Sequence, residues 1–210
     1  MMIKRVLEIK AGSRSGNVDI VFDDGTSLST VKSFAKKSAL SPGKDVDLGE
    51  LTRSADEDEF NRCYEAALNY LEYRPRSEGE LRNHLVFKRR FSAGCVSQAM
   101  SRLKKTGLLN DRAFAESWIR DRIANKPKGR RMIRQELLRK GVKAEVINEF
   151  LADVNDEDSA LKAGLKKSRT LAALEHPEFT RRLTAYLARR GYSSEVVNAA
   201  VARLWDKVSR

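Results

Sequence analysis

From residue 60 onward the chain repeats itself at intervals of about 50 residues, a period that restricts it to stacked supersecondary units. Pro75, Pro127 and Pro177 are spaced by 52 and 50 residues. Each is followed by an apolar pair four apart: Leu81/Leu85, Ile133/Leu137 and Leu183/Leu187. Next comes a stripe at i, i+1, i+4, i+5 and i+8. It reads Cys95, Val96, Ala99, Met100, Leu103 in the first unit, Val146, Ile147, Phe150, Leu151, Val154 in the second, and Val196, Val197, Ala200, Val201, Leu204 in the third. That spacing winds onto one face of an α-helix. Ahead of each proline stands a further helical stripe, such as Phe60, Cys63, Tyr64, Ala67, Leu68 and Leu71, or Ala115, Trp118, Ile119 and Ile123. The chain is therefore expected to be mainly α, with three-helix repeats over residues 53–110, 111–156 and 157–210. A unit this small buries little apolar surface alone, so the repeats should pack in series into an elongated, modestly curved body.

The punctuation agrees. Ser77 and Glu80 form a capping box that opens the second helix of the first repeat. Gly141 and Gly191, each preceded by a basic pair, suit the left-handed residue that ends a helix; Gly107 closes the first repeat in the same way, and Asp111 then caps the next helix. Only 12 Gly and 4 Pro in 210 residues leave little room for anything but long helices with few turns.

Residues 1–52 read differently, as a small β-rich segment. Val6, Ile9, Val18, Ile20 and Phe22 lie in short β-prone runs separated by Gly12–Gly16 and by Asp23-Asp24-Gly25-Thr26, whose Asp-Gly is a hairpin signal. Antiparallel strands are expected near 3–10, 17–22 and 26–31, with a short helix near 31–39. The loop carrying Arg14 lacks the spacing of a phosphate-binding motif and reads as a plain hairpin loop. Asp56-Glu57-Asp58-Glu59 is expected to be an acidic linker or the start of a helix.

The formal charge of +12 is unevenly spread. Residues 1–59 hold 9 basic and 11 acidic side chains, 60–110 hold 10 and 4, 111–156 hold 11 and 8, and 157–210 hold 11 and 6. The helical repeats thus carry the whole excess, which suits a polyanion or an acidic protein face as partner.

Other classes find little support. Cys63 and Cys95 fall on apolar helical stripes and read as buried packing in a reducing compartment; two cysteines make neither a disulfide framework nor a zinc site. The stretch Met1 to Lys10, broken by Lys4, Arg5 and Glu8, is no signal peptide, and no stretch has membrane-spanning length; a cytoplasmic location without membrane association is expected. His84 sits at a polar helical position and His176 near a helix start, with no nucleophile motif or carboxylate pair beside them. No catalytic residue, metal site or cofactor is expected. Tyr64 and Trp118 read as core, whereas Tyr70 and Tyr73 are candidates for exposed stacking surfaces.

The candidate binding residues are cations that recur with the repeat. Arg82 matches Arg134 and Lys88 matches Lys140 at an offset of 52, while Arg131, Arg139 and Lys140 match Arg181, Arg189 and Arg190 at 50. With Arg89, Arg130 and Arg182 they give every middle helix a basic polar face. The macrodipole accounts for Arg139-Lys140 and Arg189-Arg190 at helix ends. It disfavours Arg130, Arg131, Arg134, Arg181 and Arg182 near helix starts, where a compensating partner is called for. A helix-turn-helix reading for a stand-alone DNA-binding or architectural protein is the alternative. Glu145, Glu149, Asp153 and Glu195 on the candidate recognition helices oppose it, since they would face phosphates. Only the third helix of the first repeat, with Ser97, Gln98, Ser101, Arg102, Lys104 and Lys105, looks like a reading helix.

Several stretches resemble the RecX family, bacterial regulatory proteins that bind and restrain the recombinase RecA. They are Ala67-Leu68-Asn69-Tyr70-Leu71 with Arg74-Pro75-Arg76-Ser77-Glu78-Gly79-Glu80-Leu81, then Gly107-Leu108-Leu109-Asn110-Asp111 with Phe114-Ala115, and Gly129 through Ile133-Arg134-Gln135-Glu136-Leu137 to Lys140-Gly141-Val142. The third repeat agrees more loosely and has no Gly at the Gly129 position. The N-terminal strands look like an extension that some members carry. The resemblance implies a non-catalytic monomer of tandem three-helix repeats lying in the groove of a RecA filament on single- or double-stranded DNA. There it would inhibit the ATPase, strand exchange and coprotease activities of RecA.

Overall fold

A computed structural model describes residues 2–208. The chain divides into two compact units, Met1–Tyr73 with His84–Arg102, and Arg74–Asn83 with Leu103–Arg210.

The first unit opens with strands β1 (Ile3–Ala11), β2 (Asn17–Phe22), β3 (Ser27–Val31) and β4 (Asp45–Asp47), which form one antiparallel sheet in the order β3-β2-β1-β4. Alternation along β2 buries Val18, Ile20 and Phe22 on one face. Gly25 turns the hairpin at φ +81°, and Phe22 N–H donates to Thr26 C=O at 2.9 Å. The three expected strands are present. β4 was not expected, because three residues, Asp-Val-Asp, carry too little pattern to be read. Helix α1 (Lys32–Lys37) contributes Phe34 to the sheet's apolar cluster.

Helix α2 (Leu48–Glu72) is continuous for 25 residues, started by the Asp47 carboxylate accepting from Gly49 N–H at 2.9 Å. Asp56–Glu59 is therefore neither linker nor helix start but lies in mid-helix. The reason is that apolar residues hold α2 on both sides of it: Leu51 and Ala55 join Val6, Ile20 and Phe22, while Cys63, Ala66 and Ala67 are buried farther on. The boundary at 52/53 accordingly falls inside this helix. Glu59 also has a local task, accepting from Ser92 N–H at 2.9 Å and Ser92 Oγ at 3.0 Å just ahead of α4 (Ala93–Lys105). Both Cys63 and Cys95 are buried, and burial pushes both thiols up.

In the second unit the second and third repeats each own a core. Helices α5 (Asp111–Ala124), α6 (Arg130–Arg139) and α7 (Ala144–Leu151) enclose Phe114, Ile119, Ile133, Leu137 and Ile147. Helices α8 (Asp156–Leu171), α9 (His176–Ala188) and α10 (Ser194–Val208) enclose Phe179, Leu183, Leu187, Val197 and Leu204. Gly107, Gly141 and Gly191 have φ of +73°, +78° and +86°, the left-handed helix ends that the sequence implies.

The first repeat breaks the pattern at one point. Its middle helix α3 (Glu78–Asn83) passes into a π-helical turn, His84–Lys88. Leu81 and Leu85 precede their counterparts Ile133 and Leu137 by 52 residues, but Cys95 precedes Val146 by 51. A π turn holds one residue more than an α turn and absorbs the difference. Accordingly Phe91 N–H reaches back six residues to Leu85 C=O at 3.1 Å, where Val142 N–H reaches back five to Leu137 C=O at 3.1 Å. Arg89, rather than Lys88, is thus the positional counterpart of Lys140. Arg90 stands where Gly141 does, at φ +60°. A left-handed conformation disfavours a residue with a Cβ by roughly 1–2 kcal/mol. Arg90→Gly is expected to raise stability by up to about 1 kcal/mol in urea unfolding, and an unchanged midpoint would show that the turn is unstrained.

Candidate binding surface

The starts of the first two middle helices are held by the repeat that follows. In the second unit the start of α3 sits on the glycine turn that ends α6. A Cβ on Gly79 would lie 2.5 Å from Lys140 O and 2.7 Å from Gly141 Cα. The start of α6 sits likewise on the turn ending α9, where a Cβ on Gly129 would lie 2.4 Å from Gly191 O. Equivalent positions supply the hydrogen bonds: Ser77 Oγ donates to Lys140 C=O, and Gly129 N–H donates to Arg190 C=O at 2.9 Å. Ser77 also completes its capping box, accepting from Glu80 N–H at 3.1 Å while Glu80 accepts from Ser77 N–H at 3.3 Å.

A carboxylate from the following repeat completes each joint. Asp111 Oδ1 accepts from Glu78 N–H at 2.8 Å, and Asp156 Oδ1 accepts from Arg130 N–H at 2.9 Å. Asp111 therefore does not cap its own helix as expected. Asn110 does so, accepting from Arg112 N–H and Ala113 N–H, just as Asn155 accepts from Glu157 N–H and Asp158 N–H for α8. The adjacent aspartate is left free to reach the previous repeat's middle helix, a negative charge at the positive end of its dipole. Burial pushes the Asp111 carboxyl up, against the opposing pull of the Glu78 N–H.

Behind the first joint lies a largely enclosed charge network. Glu80, with its side chain 16% exposed, takes Arg74 at 2.9 Å and Lys140 at 2.8 Å. Burial alone would raise this carboxyl, but hydrogen bonds from Arg74, Lys140 and Ser77 N–H outweigh it and bring it to about 2. Trp118 is held between Lys140 Nζ at 4.3 Å and the Arg122 guanidinium at 4.1 Å, and its Nε1–H donates to Glu136 at 2.9 Å. Arg122 and Lys128 also bind Glu136, holding its carboxyl down despite burial. Trp118 is thus half-buried packing, consistent with its place on an apolar stripe.

The expected cations fall into three groups. Lys140 belongs to the joint, and Arg190 is half-buried with its guanidinium 3.8 Å from the Tyr186 ring. A second group is exposed but already has an acceptor within the chain. Arg130 lies 3.7 Å from Asp156, Arg181 and Arg182 share Glu178 at 2.8 and 2.5 Å, and Arg134 Nε donates to Asn148 at 3.2 Å. The compensating partner that the helix-start cations seemed to need is therefore internal at Arg130, Arg181 and Arg182. The third group, Arg82, Lys88, Arg89, Arg131, Arg139 and Arg189, is exposed, with no carboxylate in ion-pair range among the described residues. Each middle helix buries its apolar pair and turns such cations to solvent.

Among the described residues, no group of three or more His, Cys, Asp or Glu side chains could hold a metal ion, and no helix is long and apolar enough to cross a membrane. His84 is half-buried and stacks on Tyr70, with ring centroids 3.9 Å apart; His176 lies at the edge of Trp205 at 4.8 Å.

Sequence models of the three helical domains of RecX match in order: the first three-helix domain over residues 63–103, the second over 110–151 and the third over 155–201. The chain belongs to the RecX family. The relative named regulatory protein RecX from Chlorobium phaeobacteroides (strain BS1) is 31% identical over 72% of this chain and 98% of its own length. That from Clostridium perfringens (strain SM101 / Type A) is 29% identical over 95% and 96%. A crystal structure of a regulatory protein RecX superimposes with a TM-score of 0.65 at 24% identity, covering 94% of this chain and 98% of its own. The crystal structure of RecX from Lactobacillus salivarius gives 0.63 at 24%, covering 70% and 97%. At that identity the RecX structures establish the shared fold.

The joint has a pH signature. Because the Glu80 carboxyl is depressed to about 2 from an ordinary 4.5, its contribution is complete above the ordinary value and drains away as pH falls toward 2. Glu80→Gln should lower stability at pH 7 by about 2 kcal/mol and flatten the decline between about pH 5 and 2. Denaturant unfolding across that range reads both effects. A variant curve parallel to the parent's would place the acid sensitivity elsewhere.

Proposed function

We propose that this chain binds RecA nucleoprotein filaments and restrains RecA, lowering its ATP hydrolysis, strand exchange and coprotease activity without chemistry of its own. The observation that carries this reading is the recurrence on the middle helices of exposed arginines with no carboxylate in ion-pair range among the described residues: Arg82 on α3, Arg131 and Arg139 on α6, and Arg189 at the end of α9. A surface repeated along the chain suits a target that is itself repetitive and negatively charged. Membership of a family whose relatives are named regulatory proteins supports the same reading. Lys140 serves this surface indirectly, through the joint.

The helix–glycine turn–helix passages from α6 to α7 and from α9 to α10 favour a second reading, binding to bare duplex DNA. It is the weaker one. Glu145 and Glu149 on α7 and Glu195 on α10 are exposed and would meet phosphates.

The test adds the purified chain to RecA on single-stranded DNA and follows ATP hydrolysis. Inhibition at or below stoichiometric amounts is expected, and undiminished hydrolysis contradicts the reading. The triple variant R131A/R134A/R139A should need at least about ten-fold more protein for the same inhibition, the loss of about 1.4 kcal/mol of binding. Its thermal unfolding should stay within about 0.5 kcal/mol of the parent, since all three side chains are exposed. Unchanged inhibition by this variant would assign the contact to another face. For the second reading, duplex affinity should fall with salt at a log–log slope of about −0.9 per phosphate neutralised, and absence of binding without RecA removes it.

A further inference from the structure

The middle helices of the second and third repeats differ in charge at one position. Pro127, Arg131 and Ile133 correspond to Pro177, Arg181 and Leu183 at an offset of 50, and by the same offset Lys128 corresponds to Glu178. In the second repeat Lys128 pairs with the largely buried Glu136, and Arg131 is exposed with no carboxylate in ion-pair range among the described residues. In the third, Glu178 Oε1 accepts from Arg181 Nη2 at 2.8 Å and from Arg182 Nε at 2.5 Å, while its Oε2 accepts from Arg181 Nε at 2.8 Å. One carboxylate thus engages both guanidiniums with both of its oxygens. Its root is fixed, because the neighbouring Phe179 is buried with its ring 5.0 Å from that of Trp205. The hydrogen bonds from Arg181 and Arg182 bring the Glu178 carboxyl down to about 2, so it keeps its charge through the neutral range.

Ion pairs between residues three and four apart on one helix add little to its stability. Their larger effect falls on what an anionic partner meets. At Arg181 and Arg182 a partner must compete with a carboxylate already in place and also approach its negative charge. At Arg131 it meets no such competitor. Two cations that look alike in sequence, Arg131 and Arg181, are therefore unequal as contacts.

We propose that Glu178 is an internal brake on the third repeat, holding Arg181 and Arg182 back from the anionic partner so that the second repeat makes the stronger contact. The brake rests on the filament reading, since it names the part of that basic surface that is held in reserve. The amount of protein that half-inhibits RecA ATP hydrolysis on single-stranded DNA is measured for the parent chain, Glu178→Gln, R181A/R182A and the triple variant E178Q/R181A/R182A. Glu178→Gln should need at least about two-fold less protein than the parent, within the range that one exposed ion pair commands. That gain should shrink as salt is raised. Loss of the two arginines should cost at least about two-fold more in the Glu178→Gln background than in the parent, because only there are both guanidiniums released. Thermal unfolding of the same four proteins separates binding from folding: a lowered midpoint for Glu178→Gln with no gain in inhibition makes the residue structural only and overturns the proposal. A parent chain that leaves hydrolysis undiminished removes the filament reading and the brake with it. A parent that inhibits, with Glu178→Gln no better or with the arginine and glutamate effects simply additive, overturns the brake alone.

Discussion

The arrangement depends on a close approach of backbone to backbone. At Gly79 and at Gly129 the start of one repeat's middle helix lies so near the closing turn of the next that a single methyl group would strike main-chain atoms at 2.5 and 2.4 Å. Neither contact is a gain of apolar area. Each is a steric fit that lets polar groups pair, the Ser77 hydroxyl with Lys140 C=O and Gly129 N–H with Arg190 C=O. Asp111 and Asp156 then satisfy a further N–H at each helix start. Apolar cores hold each repeat together, while a glycine contact, a carbonyl and a carboxylate join one repeat to the next.

That division lets cations stand near the starts of the first two middle helices. With the helix start met by the following repeat's carboxylate, cations near it no longer oppose an unsatisfied positive dipole. Arg130 and Arg131 are accommodated there, and the rest of the outward face is open to Arg134 and Arg139. At α6 the proposed surface and the joint to the next repeat thus coexist, whereas on α9 Glu178 of the same helix meets Arg181 and Arg182.

Much of this was legible in the sequence. The apolar spacing gave the helices of the repeats, and the glycines gave their ends, because both follow from helix geometry alone. The capping box at Ser77 was legible for the same reason. Asp111 was misread because capping is judged locally, whereas its acceptor role spans 33 residues to Glu78. The signal that could have revealed it was the pair Asn110-Asp111 recurring as Asn155-Asp156, one residue for each of two helices. The π-helical turn was likewise written in the change of offset from 52 to 51. The network around Glu80 and Glu136 could not be read, because ion pairing between helices depends on packing that no local pattern records. Of the candidate cations, the sequence identified the positions but could not tell the joint-forming Lys140 from the solvent-facing Arg139 beside it.

The measurement that bears most directly on this account is the unfolding stability of Gly129→Ala compared with Gly94→Ala. Gly94 lies in α4 with nothing within 4 Å of an added Cβ, so alanine there should be neutral or stabilising by up to about 1 kcal/mol. At Gly129, whose N-cap φ of −69° alanine can adopt, the closeness of the next repeat opposes the change, in addition to the smaller preference of an N-cap for glycine over alanine. A loss of at least about 2 kcal/mol at Gly129 is predicted. Equal stability of the two variants would contradict a structure held together at its glycine joints.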